Sequence, residues 1–367
     1  MVNKNIYIAA RFLTQPITGV QRFGIELSKA IKKLILTKDY SNYNVKFVAP
    51  KNIIHNEIAD FLNVEKVGSL KGQLWDQIFL LKFLKSKGNP LIINFSNTLP
   101  VFYENKIVTI HDIIHLKFPV SYSYRKYYEI VFPLMMKYSK HIITVSEFSK
   151  KEICSYFGIS EDRVSVVYNG IDERFKPKKL NNQEKYILGV SSIAYHKNFI
   201  KLIEAYLKLK TKNIKLYIVG GLNEKIFGKN SKNILKMIEV NKNIKFLGRV
   251  DDSKLIELYS NATCFVYPSL YEGFGIPPLE AQACGCPVVL SDIPVFREVY
   301  GNSAIYFNPL DAEDIANKIE EVINNENLRD YFIRKGFENT KKYTWENSAK
   351  AFFKILDKDN IKCDKIS

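Results

Sequence analysis

The chain has 367 residues, 46% of them hydrophobic and 25% charged, an ordinary globular composition with enough length for two domains. Its net charge of +16 is spread over both halves: residues 1–172 hold 23 Lys+Arg and 14 Asp+Glu, a net of +9, and the remainder holds 31 and 24, a net of +7. A basic surface attracts nucleic acid, anionic lipid or anionic small molecules, but no basic arm, zinc finger or RRM signature appears, so no nucleic-acid partner is expected and peripheral contact with an anionic membrane is favoured.

Ile6 to Ala10 reads as the first strand, and the apolar run there is too short for a signal peptide. No stretch of about 18 apolar residues predicts a membrane span. A polar loop, Arg11 to Thr18, leads to Gly19 at the entrance of an amphipathic helix carrying Phe23, Leu27, Ala30, Ile31 and Leu34. A glycine at that point is the phosphate position of doubly wound folds, although no G-x-G-x-x-G is present. Val45 to Val48 is the next strand; residues 51–70 read as irregular, and Gln73 to Leu84 as a helix. Leu91 to Asn94 and Ile107 to Ile110 are further strands. The second delivers His111-Asp112-Ile113-Ile114-His115, which mimics HExxH zinc spacing. A zinc site needs both histidines on one helix face, whereas His111 ends a strand, where open α/β sheets bind ligands. Asp112 and His115 are read as structural. The tyrosine-rich stretch 121–140 reads as a helix whose stripe (Tyr124, Tyr127, Tyr128, Val131, Phe132, Met135) faces core or a domain surface. Ile142 to Val145 is a strand, Ser146 a helix cap, and Val164 to Val167 the last strand of this half. Residues 176–183 are polar and proline-broken, as a linker would be.

Strand and helix alternation then restarts. Tyr186 to Val190 is a strand; His196-Lys197-Asn198 opens a helix through Leu209, so Lys197 adds an ammonium beside a helix N-terminus. Ile214 to Val219 and Ile244 to Gly248 are strands, and Asp252 is read as a helix cap. From Thr263 to Leu290 the order is strand, glycine loop, helix, strand. Glu272-Gly273-Phe274-Gly275 lets backbone approach a ligand, Pro277 and Pro278 suit a first helical turn, and Gly285 and Pro287 end the helix. A helix N-terminus reached through glycines is a phosphate site. Carboxylates beside it, Glu272 and Glu280, suit hydroxyls of ribose or sugar instead. The five cysteines lack a disulfide or zinc framework, and Cys284-Gly-Cys286 reads as buried structure. A reduced, cytoplasmic setting is expected. Ser303 to Phe307 is a strand, and Asp311 to Asp314 and Trp345 to Leu356 lie in helices, with a frayed tail from Asp357.

The stretch Glu272-Gly-Phe-Gly-Ile-Pro-Pro-Leu-Glu280 resembles the E-x7-E motif of family 4 retaining glycosyltransferases. The resemblance covers most of the chain, strongest from 186 to 345. It implies an α/β GT-B fold: two Rossmann-like domains with parallel sheets facing across a cleft and a C-terminal helix crossing back. Residues 1–175 would be the acceptor-side domain, 176–345 the nucleotide-sugar-binding domain, and 346–367 the returning helix and tail. VSEFSKKEI and VVYNGID resemble the closing elements of the first domain. By the same resemblance, Glu272 lies near donor sugar and phosphates, Glu280 binds ribose, and amides near Phe274, Gly275 and Ile276 face the diphosphate. Gly19, in a loop like the family's GGxxR-aromatic element, approaches donor phosphate and acceptor, and His111 faces the donor sugar. Lys197 matches the diphosphate-loop lysine, the loop's usual arginine falls on Ser192, and Val250 contacts the base through its main chain.

The implied reaction is retaining transfer of a hexose from a nucleotide-diphosphate sugar to a growing cell-surface glycan or lipid-linked oligosaccharide. TGVQRF and VTIHDIIHLKFP are similar to bacterial O-antigen and capsule mannosyltransferases, which makes GDP-mannose the expected donor. No DxD-like element lies at a strand end, so no metal and no cofactor are expected. The inner face of the plasma membrane is the expected place of any peripheral contact. A nucleotide-sugar epimerase or sugar phosphorylase would fit the same scaffold and is separated by acceptor dependence. A non-catalytic sugar-nucleotide or nucleic-acid binder has only the charge in its favour.

Overall fold

The computed structural model describes residues 4–119, 121–178, 184–221, 234 and 236–358. The chain forms two units, Met1–Gly170 with Thr344–Ser367, and Ile171–Tyr343. The linker residues 179–183 and the tail beyond 358 lie outside the described residues. The unit boundaries fall before the 175/176 and 345/346 positions read from sequence. The cause is local: Ile171 N–H donates to Tyr343 O at 2.9 Å, and Phe175 packs on Tyr259 with ring centroids 6.3 Å apart. These contacts hold 171–175 in the second unit.

Among the described residues the first unit carries seven parallel strands: β1 (Lys4–Ala9), β2 (Tyr43–Ala49), β3 (Glu65–Lys66), β4 (Leu91–Asn94), β5 (Lys106–Thr109), β6 (His141–Thr144) and β7 (Val164–Val166). Their order is β3-β2-β1-β4-β5-β6-β7. The second carries β8 (Tyr186–Val190), β9 (Lys215–Val219), β10 (Ile244–Gly248), β11 (Cys264–Tyr267), β12 (Val288–Ser291) and β13 (Ile305–Phe307), ordered β10-β9-β8-β11-β12-β13. All the pairings are parallel. Parallel strands are covered on both faces and read as unbroken apolar runs; β8, β11 and β12 are buried along their whole length. In each sheet the order reverses beside one strand, between β1 and β4 and between β8 and β11. Ligands of doubly wound sheets bind at the carboxyl ends of such a pair.

Several elements differ from the sequence reading. Residues 51–70, read as irregular, contain the helix Asn56–Leu62 and the edge strand β3. The helix read over 73–84 is interrupted: Gly72–Trp75 leads into a π-helical segment, Asp76–Leu80, before Leu81–Ser86. Asp251, not Asp252, caps its helix, accepting from Lys254 N. In the helix Tyr122–Lys137, Tyr128, Phe132, Met135 and Met136 are buried, whereas Tyr124 is exposed. The last helix, Trp345–Leu356, packs on Gly19–Leu34 of the first unit.

Candidate active site

In the second unit, two loops meet at the carboxyl ends of β8 and β11. The chain leaving β8 does not enter a helix at His196 as the sequence suggested. It makes a 3₁₀ turn, Tyr195–Lys197, and Asn198 takes φ 57° before the helix Phe199–Lys208. Asn tolerates that left-handed conformation. Its side chain reaches across to Pro268 O at 3.1 Å and Pro309 O at 2.8 Å. Leu270 N–H donates to His196 O at 2.7 Å. These bonds tie the β8 loop to the β11 loop and put Lys197 opposite Glu272.

Lys197 Nζ lies 2.5 Å from Glu272 Oε1. Ser269 Oγ donates to the same oxygen at 2.8 Å. Tyr267 also borders the ammonium, its hydroxyl 3.4 Å and its ring centroid 5.6 Å from Nζ. The side chains of Lys197 and Glu272 are only 13% and 10% exposed. Burial alone would raise the Glu272 carboxyl, but the Lys197 charge, with help from His196 and the Lys197 and Ser269 hydrogen bonds, holds it below the ordinary range. Burial would likewise lower Lys197, and Glu272 overrides it and raises the ammonium above its ordinary value. The pair is therefore ionised and internally neutral.

Gly275 caps the helix Ile276–Ala283 at φ 93°. Glycine is needed twice over, because a Cβ there would also stand 2.7 Å from Phe296 Cε1. Tyr300 OH donates to Gly275 O and holds the turn. The first amides of a helix have no intrahelical acceptor, and Pro277 and Pro278 remove two of them, so Gly275 and Ile276 supply the remaining donors. Phe274 is fixed by an edge contact with Tyr343, centroids 5.6 Å apart. Glu280 is buried one turn in, accepting from Tyr259 OH at 3.2 Å. Ser192 is exposed on the β8 loop, and Val250 is half-buried just beyond β10. The arrangement joins a helix N-terminus, a buried ammonium and two carboxylates on one sheet edge, the chemistry that suits an anion beside hydroxyls.

Gly19 and His111 belong to the first unit. Gly19 starts its helix beyond β1. His111 follows β5; its Nε2–H donates to Phe95 O at 3.0 Å, which leaves Nδ1 as the acceptor nitrogen. Burial holds the ring below its ordinary pKa. The other members of HDIIH have local tasks: Asp112 accepts from Ile114 N–H at 2.9 Å, and His115 stacks on Tyr128 at 4.6 Å. Among the described residues no group of three or more His, Cys, Asp or Glu could hold a metal. Cys264, Cys284 and Cys286 are buried and free, and no described helix is long and apolar enough to cross a membrane.

Two features escaped sequence reading. One is the support of Glu272 by Ser269 and Tyr267; the only sequence signal was Ser269 three residues before the glutamate. The other lies at the β1–β4 switch point of the first unit. Arg11 Nε is 3.3 Å from Asp76 Oδ1, and Thr98 Oγ1 donates to Asp76 Oδ2 at 2.9 Å. Asp76 is fully buried, and burial raises its carboxyl to about 6 although Arg11 and Thr98 oppose the shift.

Two all-parallel Rossmann-like units, the second with a glycine-capped helix at its switch point, have the architecture of the GT-B fold. Residues 170–339 match the glycosyl transferases group 1 model, and residues 69–175 match the Glycosyltransferase Family 4 model. The chain is 30% identical to the O-antigen chain mannosyltransferase RfbU of Salmonella typhimurium, covering 88% of this chain and 94% of the relative. It is 28% identical to the O-antigen chain mannosyltransferase B of Escherichia coli, covering 93% and 96%. The solved sucrose-phosphate synthase of Thermosynechococcus elongatus shares the fold with a TM-score of 0.76 at 17% identity, over 96% of this chain and 98% of that one. The chain belongs to the family 4 glycosyltransferases.

Proposed function

We propose that the protein is a retaining hexosyltransferase that moves mannose from GDP-mannose to a growing cell-surface glycan or lipid-linked oligosaccharide, without a metal ion. The observation that carries the nucleotide-sugar reading is the Lys197–Glu272 pair, 2.5 Å apart, beside the Gly275-capped helix, with Glu280 one turn in. Lys197 and the Gly275 and Ile276 amides would stabilise the departing diphosphate. Glu280 would accept from ribose hydroxyls, Glu272 would accept from sugar hydroxyls, and the main chain at Val250 would meet the base. Gly19 and Ser192 keep the phosphate-side roles expected of them. His111 would present Nδ1 to a sugar hydroxyl. In the reaction the C1–O bond to the diphosphate breaks and the acceptor oxygen bonds C1 on the same face. The acceptor's proton passes to the leaving phosphate oxygen. Mannose is favoured because the two bacterial relatives are named mannosyltransferases. The net charge of +16 suits peripheral contact with an anionic membrane on the cytoplasmic side.

The test is thermal stabilisation by GDP, UDP, ADP, dTDP and CDP in EDTA, with Glu280→Ala in parallel. Stabilisation at 100 times Kd is worth about 2.7 kcal/mol. GDP should raise the melting temperature of the wild type and not of the variant. A shift by another base replaces the donor assignment, a shift that requires manganese removes metal independence, and no shift by any of the five removes the nucleotide-sugar reading.

A further inference from the structure

The Lys197–Glu272 pair leaves the site short of positive charge. A nucleoside diphosphate is a multiply charged anion, yet the buried ammonium is already neutralised by a carboxylate at 2.5 Å. The helix end adds only about half a charge.

Arg249 is placed to make up the difference. β10 ends in an irregularity: its register against β9 shifts between Phe246 and Gly248, and Gly248 takes φ +68°. Gly220 N–H donates to Gly248 O at 2.9 Å and fixes the bend. Such a bulge re-aims the side chain that follows it. The Arg249 side chain lies over Gly221, just beyond β9: a Cβ on Gly221 would stand 2.7 Å from Nε and 3.3 Å from an Nη. Gly221 is itself joined to the β8 loop, its carbonyl accepting from Ile193 N–H at 3.1 Å. The guanidinium thus borders the loop that holds Ser192 and delivers Lys197. The two glycines divide the work. A Cβ on Gly248 would meet open space, so glycine there serves the left-handed backbone; at Gly221 glycine makes room for the arginine. Arg249 is exposed, and among the described residues no carboxylate pairs with it.

We propose that Arg249 is the second phosphate-binding cation of this site, a guanidinium delivered from β10 to the diphosphate of the donor. The proposal rests on the nucleotide-sugar reading above. A guanidinium fork matches phosphate oxygens in a bidentate fashion, and Arg249 reaches them without giving up an existing ion pair.

Calorimetric titration of the wild type, Arg249→Ala and Gly221→Ala tests it, with the stabilising nucleoside diphosphate and its parent nucleoside as ligands. Arg249→Ala should bind the diphosphate about 10- to 100-fold more weakly and the nucleoside as before. Gly221→Ala should fold with an unchanged melting temperature, because its Cβ meets the end of a flexible side chain. It should weaken diphosphate binding in the same direction and add nothing to Arg249→Ala. Unchanged diphosphate affinity in Arg249→Ala overturns the proposal and leaves the nucleotide reading standing. Equal losses for diphosphate and nucleoside also overturn it, since Arg249 would then read base or ribose. A wild type that binds none of the five diphosphates sinks the nucleotide reading itself.

Discussion

Single buried groups set how this molecule responds to pH. His141 is fully buried on β6, with Nε2 2.8 Å from Ser165 Oγ. Burial first, and then the nearby Lys358 and Arg163 charges, lower it from 6.5 to about 4. The folded ring stays neutral where the unfolded chain takes up a proton. Its contribution is complete above pH 6.5 and is lost as pH falls towards 4. Across that window it amounts to roughly 3 kcal/mol. Asp76 acts in the opposite sense: its carboxyl is raised from 3.8 to about 6, so its contribution declines as pH rises through the same range. These two nearly offset each other, but burial also lowers His115 from 6.5 to about 4, so stability measured by denaturant melts from pH 4 to pH 7 should rise with pH. His141→Leu should flatten that rise, and Asp76→Asn should steepen it. An unaltered slope in His141→Leu would show that the ring is protonated in the folded state. Neither group stood out in the sequence. A buried histidine and a buried aspartate look like any other until the sheet and the π-helical segment enclose them.

At the scale of elements, the turn from β11 into the Ile276–Ala283 helix is constrained in two ways at once. Gly275 has positive φ and no space for a Cβ, whereas Gly158, at the end of the helix Glu147–Phe157, has φ +64° with open space around it. Alanine at Gly158 meets only backbone strain, about 1 kcal/mol. Alanine at Gly275 meets that strain and Phe296 together, and should cost about 2–4 kcal/mol. It should also abolish nucleotide stabilisation, because the amides at 275 and 276 move with the turn. Equal costs at the two positions, measured by denaturant unfolding, would remove Phe296 from the account. This element was largely legible: two glycines, two prolines and two glutamates between apolar runs named strand, loop and helix in order. The β8 loop was less so. Lys197 was read at a helix start, but Asn198 adopts a left-handed conformation that no hydrophobic period signals. Its hold on Pro268 and Pro309 joins residues distant in sequence.

For the whole molecule, the parallel sheets were legible because strands covered on both faces read as apolar runs separated by helical periods. The unit boundaries were less legible, since a few backbone bonds decide them. The chain builds most of the first unit, then all of the second, and returns to the first with Thr344–Ser367. That return is made of aromatic contacts on the Trp345–Leu356 helix. Phe352 meets Phe95 at 5.7 Å, Phe353 meets Tyr43 at 4.8 Å, and Trp345 meets Phe23 at 6.0 Å. Phe352 is fully buried, so Phe352→Ala should destabilise the first unit by about 3–5 kcal/mol. The chain provides its own reporter. Its two tryptophans, Trp75 and Trp345, both lie in the first unit, so their fluorescence follows that unit's unfolding. In Phe352→Ala the tryptophan transition should move to lower denaturant with an unchanged slope. The proposed nucleotide-binding residues of 171–343 are untouched by the change, so nucleoside diphosphate affinity under native conditions should stay at the wild-type value. A tryptophan transition that does not move would mean that the last helix contributes little to the first unit. A moved transition accompanied by lost nucleotide affinity would mean instead that the second unit depends on the first for its folded site.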